Sequence, residues 1–352
     1  MRIVNVMIGR ELGGIEQAFL DYNQALTLYG HTVCAVINKN AKIETFLARQ
    51  NIKKIVKTRF IHYNYFLLIT LYIKLRRFNP DVIIVHNKKA IPIFKILARL
   101  LHVKIIGVSH NPKFKLIDKC DGIFTITNYQ KKLFAEKGFP DNRIFVIPNL
   151  IAKVLPFQRQ KSFREPPVIG TMGRFDPMKG FTDFIEALGI LKQNNIPYKA
   201  VIGGGQQKNY ADEFAAIQKK VKELGLQDDV TFCGWVNDKE AFFNEIDIFV
   251  LPSRFEPFGI VLLEAMIHSK PIAASLAEGP AEIFATNAPS AYLFPINNPQ
   301  KMAEQIAEAL SNFSKTQEVA RRGYDLCVEK YTLEQVGKSL DEDLRYIVSG
   351  KL

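Results

Sequence analysis

Cysteine is scarce in this 352-residue sequence: Cys34, Cys120, Cys233 and Cys327 stand far apart, with no C-x-x-C pair. That spacing argues against a disulfide framework and against a zinc site. No apolar run approaches the ~20 residues that a spanning helix needs, so no transmembrane segment is expected. The N-terminus, MRIVNVMIGRE, reads as a short strand entering a loop and lacks the apolar region and cleavage site of a signal peptide. No D-x-D follows a strand. The one such spacing, Asp341 and Asp343, falls in a helical tail and reads as a solvated helix face, so no metal is expected. The first strand is followed by GRELGGIE, without the G-x-G-x-x-G spacing of a dinucleotide-binding oxidoreductase. Acidic residues are few in the first half, with 10 against 28 Lys and Arg through residue 165, and 25 against 19 beyond it.

What is present describes a packed, soluble protein of a reducing compartment. A hydrophobic share of 47% with 23% charged residues excludes wholesale disorder. The length suits two domains, each able to bury a core. A basic half joined to a mildly acidic one points to an anionic partner for the first half, and both nucleic acid and an anionic membrane surface qualify by charge. The segment Lys53 to Phe78 is the most suggestive part. Lys53, Lys54, Lys57 and Arg59 precede an apolar stretch carrying Phe60, Tyr63, Tyr65, Phe66 and Tyr72, and Lys74, Arg76 and Arg77 follow it. Such a stretch suits lying on a bilayer. The competing reading makes Phe66, Leu67, Leu71 and Leu75 the core face of an α-helix packed on a sheet.

Short Val/Ile-rich runs (RIVNVMI, TVCAVI, KIVK, DVIIVHN, KIIGVSH, GIFTIT, IFVIPN) alternate with helical patterns through the first half. VIGTMG, KAVIGG, VTFCGW, DIFVLPS, PIAAS and AYLFPI do so in the second, and everything from about Pro299 onward reads helical. Such runs mark strands buried on both faces, hence parallel sheets covered by helices. The expected architecture is α/β: two Rossmann-like parallel-sheet domains facing a central cleft. The first covers residues 1–155, a proline-bearing linker 156–167, and the second domain 168–334. A C-terminal helix over 335–352 is expected to pack back on the first domain.

The richest segment is DIFVLPSRFEPFGIVLLEAM, Asp247 to Met266. A strand ends at Leu251 and a helix is expected to begin near Phe258, with Pro257 in its first turn. Glu256 stands before that helix and Glu264 two turns inside it, a span of roughly 12 Å at helical rise. One carboxylate can read sugar hydroxyls and the other ribose hydroxyls, with the helix N-terminus facing phosphates between them. For isolated glutamates the plainer reading, a cap and a surface lysine pair, would stand.

The pattern is longer than that. The PS-x-x-EPFG-x-x-x-LEAM-x-x-x-KP run resembles the E-x7-E signature of glycosyltransferase family 4 (glycosyl transferases group 1), retaining enzymes of the GT-B fold. GGIEQ (13–17), GTMGRFDPMKG (170–180), GGGQQ (203–207) and EGPAEI (278–283) resemble further family segments in the right order. The resemblance implies that Arg174 and Lys179 hold the donor diphosphate and offset charge on the leaving group. It implies that Glu256 contacts the transferred sugar, with Phe258, Gly259 and Ile260 near the phosphate, and that Glu264 binds the ribose. Gly13, Gly14, Gly203 and Gly205 would let backbone approach the donor. His110, in VSHN, matches the family's histidine beside the donor sugar, and Glu282 would help close the pocket. Ser269 stands where the family usually has a glycine ending the helix in a left-handed turn, and the basic continuation VHNKKA after His86 leaves its acceptor contacts open.

The expected function is transfer of a sugar from a nucleotide-diphosphate sugar, with no cofactor, to a lipid-linked or phosphorylated glycan acceptor in lipopolysaccharide or other envelope glycan synthesis, with retention. The expected place is the cytoplasm, peripheral on the anionic inner face of the membrane. Three alternative readings stand beside it. A sugar epimerase or a phosphorylase of the same architecture is disfavoured by the ordered Arg174, Lys179, Glu256 and Glu264 and by the lack of a pyridoxal-phosphate lysine context. A transferase acting on a small soluble acceptor stays open. A nucleic-acid-binding module leaves the second-half motifs unexplained, so no nucleic-acid partner is expected.

Overall fold

A computed structural model describes residues 1–50, 52, 54–59, 65–206, 210–285 and 288–350. Lys53, Phe60, Tyr63 and Gln207 of the segments above lie outside the described residues. The chain divides into two compact units, one of residues Met1–Lys153 with Lys330–Leu352, the other of Val154–Glu329.

The first unit is built on seven parallel strands: β1 (Arg2–Met7), β2 (Thr32–Asn38), β3 (Lys54–Thr58), β4 (Val82–Val85), β5 (Lys104–Ser109), β6 (Gly122–Thr125) and β7 (Ile144–Val146). They lie in the order β3-β2-β1-β4-β5-β6-β7. Helices α1 (Gly14–Leu28), α2 (Glu44–Leu47), α3 (Tyr65–Phe78), α4 (Ile91–Leu101) and α5 (Asn128–Glu136) make the crossovers. Alternate strand residues face opposite layers, as a two-residue period requires. Val4, Val6, Ile83 and Val85 pack with Leu67, Leu71, Leu75 and Phe94. Ile3, Val82, Ile84 and Ile106 pack with Tyr22 and Leu26.

On α3 the core-face reading holds for three of its four residues. Leu67, Leu71 and Leu75 are buried core, whereas Phe66 is 80% exposed and therefore not part of that face. Ile69 and Ile73, three and seven residues beyond Phe66, are also exposed, so α3 carries a second apolar stripe outward. Ile96 and Leu100 on α4 are exposed too, four residues apart. Arg76 and Arg77 occupy the last turn of α3, where cations complement the helix dipole, and Arg76 donates to Tyr72 Oη at 2.6 Å.

The second unit holds β8 (Val168–Phe175), β9 (Lys199–Gln206), β10 (Val230–Gly234), β11 (Ile248–Leu251), β12 (Ile272–Ser275) and β13 (Tyr292–Phe294). All are parallel, in the order β10-β9-β8-β11-β12-β13. α6 (Phe181–Gln193), α7 (Ala211–Glu223), α8 (Lys239–Glu245), α9 (Ile260–Ile267), α10 (Glu278–Ile283), α11 (Pro299–Ser311) and α12 (Phe313–Lys330) surround them. In both units the strand order reverses once, between β1 and β4 and between β8 and β11, and the carboxyl ends of the strands flanking such a reversal form a natural ligand crevice.

The irregular stretch 154–167 belongs to the second unit and is pinned along its length. Gln158 N donates to Ser269 Oγ at 2.9 Å, Gln160 N to Gln317 Oε1 at 3.0 Å, and Arg164 Nη1 to the buried Asp247 at 2.8 Å. Ser269 does take the left-handed conformation that glycine favours, with φ of 59°, and its hydroxyl is what holds Gln158.

The last helix, α13 (Leu333–Val348), lies in the first unit, where Val336, Leu340, Leu344 and Ile347 join Tyr22 and Leu26 in one core. Asp341 and Asp343 are therefore not a solvated face. Asp341 Oδ1 stands 2.9 Å from His31 Nε2 and accepts from Arg345 Nε at 2.8 Å. Burial lifts the Asp343 carboxyl to about 6. A folded-state value above the unfolded one means the folded protein favours the protonated form, so this group's contribution weakens as pH rises from about 4 through 6. Asp343→Asn should accordingly stabilise the protein by about 1 kcal/mol at pH 8, allowing for solvent screening, and by nothing near pH 4. Melting temperatures across that range check it; a gain independent of pH would mean burial of the charge is not the cause.

Candidate active site

At the carboxyl edge of the second sheet, β8 runs through Arg174, which is exposed, into a tight turn. Asp176 Oδ1 accepts from Met178 N at 2.9 Å and Asp176 O from Lys179 N at 2.8 Å. Gly180 then takes φ of 67° and starts α6. The turn is tied to the loop after β11, since Met178 O accepts from Arg254 N at 2.8 Å and Phe255 N at 3.2 Å. The Arg254 guanidinium forks onto Asp183 of α6 at 2.9 and 2.5 Å, the two-point geometry that planar guanidinium and carboxylate favour. These ties set the next contact. Lys179 Nζ donates to Glu256 Oε2 at 2.6 Å, with both side chains mostly buried.

The other face of Glu256 is fixed by α10. Gly279 N donates to Glu256 O at 2.9 Å, and Glu278 Oε2 accepts from Glu256 N at 3.4 Å. A side chain at Gly279 would collide with the Phe258 backbone. Phe258 and Gly259 are buried, Gly259 has φ of 97°, and α9 begins at Ile260 rather than near Phe258. Pro257 and Glu256 thus precede the helix, and the spacing from Glu256 to Glu264 is helical only in its second half. Glu264 is paired with Lys239 at the start of α8, where Asp238 caps Ala241 N at 2.9 Å. The surface-lysine partner of the plainer reading is therefore present, on a carboxylate still partly open to solvent.

Gly203 and Gly205 end β9, and packing accounts for both. A Cβ on Gly203 would overlap Val236, and one on Gly205 would come within 2.9 Å of the Trp235 ring. Trp235 is half-exposed beside this edge. Glu282 lies on α10, one turn beyond the Glu278 that touches Glu256. A cavity of about 440 Å³ lined by Tyr292, Gln305, Lys315 and Arg322, among others, contains none of these residues.

In the first unit Gly13 and Gly14 open α1, exposed, with Gly13 in extended backbone. His110 follows β5 and His86 follows β4, with His86 Nδ1 3.2 Å from His110 Nε2. Burial holds the His110 imidazole near pKa 4 and drives His86 well below the usual range, so both are neutral at pH 7. Among the described residues no three His, Cys, Asp or Glu side chains gather as metal ligands.

Arg174, Lys179, Glu256, Phe258, Gly259, Ile260, Gly203, Gly205 and Glu282 thus share one unit and one sheet edge, with Glu264 inside α9. Gly13, Gly14 and His110 lie at the corresponding edge of the first unit. Sequence reading passed over Glu278, Arg254 with Asp183, and the Lys239 partner of Glu264. Glu278 and Arg254 stand in the quoted motifs, but their contacts run to segments more than twenty residues away.

Two parallel sheets of this strand order, each with polar groups at its switch point, define the GT-B class of glycosyltransferases. Comparison with known proteins agrees. Residues 156–325 match the family described as "Glycosyl transferases group 1" and residues 12–152 match "Glycosyltransferase Family 4". The chain is 25% identical over 346 residues to the lipopolysaccharide core biosynthesis glycosyltransferase LpsE of Rhizobium meliloti, covering 96% of each. It is 28% identical over 291 residues to LpsD of the same organism, covering 80% of each. The solved structure of Anabaena Alr3699/HepE in complex with UDP and glucose superposes with a TM-score of 0.83 at 19% identity, over 98% of this chain and 99% of that one. This chain belongs to the GT-B glycosyltransferases and is an enzyme of that class.

Proposed function

We propose that this enzyme takes a sugar from a nucleoside-diphosphate sugar and passes it, with retention and without a bound metal, to a lipid-linked or phosphorylated acceptor of envelope glycan synthesis. The observation that carries the donor half is the Lys179–Glu256 pair at the second switch point. Breaking the glycosyl bond leaves negative charge on the diphosphate, and a preorganised cation in a partly buried site offsets it without reorganising. Lys179 supplies that cation, Arg174 stands on the same strand end, and Glu256 is left to accept hydrogen bonds from sugar hydroxyls. Glu264 binds the ribose. The envelope acceptor draws support from the lipopolysaccharide relatives.

Thermal shift against UDP, GDP, ADP and CMP and their sugar conjugates tests the donor site. A ligand at a hundred times its dissociation constant adds about 2.7 kcal/mol of apparent stability. One nucleoside diphosphate should stabilise the protein and lose that effect in Glu264→Ala. Silence from the whole panel at millimolar ligand would overturn the reading, and an inverted anomeric centre in the product would overturn retention.

The acceptor half rests on charge and on α3. From Lys53 to Lys104 the sequence has twelve Lys and Arg and one acidic residue, Asp81. Within this stretch the outward stripe of Phe66, Ile69 and Ile73 meets headgroup depth by its chemistry, and anionic lipids attract each nearby cation by about 1 kcal/mol. The protein should co-sediment with vesicles of phosphatidylcholine containing one-third phosphatidylglycerol more strongly than with phosphatidylcholine alone. Ile69→Asp with Ile73→Asp should weaken that binding about tenfold or more. Equal binding to both vesicles would remove the electrostatic basis of the claim.

A further inference from the structure

His86 has no role in the donor chemistry above, yet its surroundings are unusually specific. Its ring centre is 5.3 Å from that of His110, the planes 23° from parallel, and Nδ1 is 3.2 Å from His110 Nε2. The nitrogen contact plus the two ring radii account for that whole separation. The imidazoles therefore meet edge to edge through one hydrogen bond, not face to face. Its other side is closed by α1: Tyr22 lies 4.7 Å away at 84° and Phe19 5.5 Å away at 90°. His86 N donates to Val6 O at 3.0 Å, and the residue is 3% exposed.

Two neutral imidazoles carry one N–H each, and a single hydrogen bond between them fixes which nitrogens hold the protons. His86 Nε2 is buried and has no hydrogen-bond partner among the described residues. Among aromatic rings an N–H can rest against a π-face, whereas a bare lone pair there is repelled. An aromatic enclosure favours the proton on His86 Nε2, which makes its Nδ1 the acceptor and His110 Nε2–H the donor.

We propose that His86 is a positioning residue for His110: by accepting the His110 Nε2–H it fixes the plane and tautomer of that ring and leaves His110 Nδ1 a bare acceptor for a hydroxyl of the bound sugar. The identity of the hydroxyl rests on the transferase reading, and the tautomer does not.

Both are measurable. Side-chain nitrogen NMR on protein labelled at histidine should show His110 with protonated Nε2 and unprotonated Nδ1 across pH 6 to 8. In turnover, His86→Leu should lower kcat about 10- to 100-fold, the loss a misplaced group produces, with donor KM little changed. His86→Asn, which keeps an acceptor oxygen at the δ position, should restore most of that loss. Adding His86→Leu to His110→Ala should cost nothing further, because a residue acting through another couples fully to it. A protonated His110 Nδ1, additive losses in the double variant, or an Asn variant as poor as Leu would each overturn the proposal. A wild-type enzyme inert with every nucleotide sugar would instead defeat the transferase reading, with the NMR result still deciding the tautomer.

Discussion

Lys179→Ala is expected to lower turnover about 100- to 1,000-fold, the range found when one preorganised charge-stabilising group is removed. The same substitution also leaves Glu256, a mostly buried carboxylate, without its cation at 2.6 Å. Among the described residues its remaining side-chain partner is Ser253 Oγ at 3.5 Å, too long to compensate. Stability should therefore drop by about 1–3 kcal/mol, the cost of stranding a buried polar group. A second change separates the two effects. Glu256→Gln added to Lys179→Ala removes the stranded charge, so the melting temperature should recover while turnover stays at or below that of the single variant. If the pair were only a structural tie, turnover would recover along with stability. Steady-state kinetics and thermal unfolding on the three variants decide between these outcomes.

Much of this site is legible in the sequence because its parts are local. The Val/Ile runs fix parallel strands buried on both faces, and residues at strand ends of such sheets lie where ligands bind. The resemblance to the family's motifs picks out Glu256, Lys179, Arg174 and His110, and each lies within a few residues of a strand end. What the sequence conceals are pairings set by tertiary contact. Nothing near Asp183 announces that Arg254, 71 residues on, will fork onto it. Nothing near Asp341 announces His31, 310 residues earlier, so an acidic pair on an amphipathic tail reads as solvated when it is half of an interface. α3 is a different case. Apolar residues on two faces of one helix satisfy both the core and the membrane pattern, and periodicity alone cannot say which face the sheet takes. α9 starts at Ile260, beyond Pro257, because Gly259 adopts φ of 97°, which breaks the helical register that Pro257 would otherwise begin.

The glycine that ends the Lys179 turn should be the least replaceable residue of the second unit. Gly180 has φ of 67°, and a Cβ there would run into the Pro252 carbonyl of the β11 loop. Gly225 provides the control, with φ of 63° and nothing within 4 Å of its would-be Cβ. Gly225→Ala should thus report the left-handed backbone cost alone, about 1 kcal/mol. Gly180→Ala meets that cost plus a collision with backbone that cannot rotate away, and should reach about 2–4 kcal/mol, several degrees of melting temperature for a unit of this size. The collision can be relieved only by moving the turn off the β11 loop, which stretches the Met178 contacts to Arg254 and Phe255 and carries Lys179 away from Glu256. Turnover should therefore fall at least 100-fold in Gly180→Ala even at temperatures where the protein is fully folded, since small displacements of a charge-stabilising group are that expensive. Gly225→Ala should keep near-normal turnover. Equal melting temperatures for the two variants would show that the turn and the loop are not held as closely as their hydrogen bonds indicate, and the positioning of Lys179 would need another source.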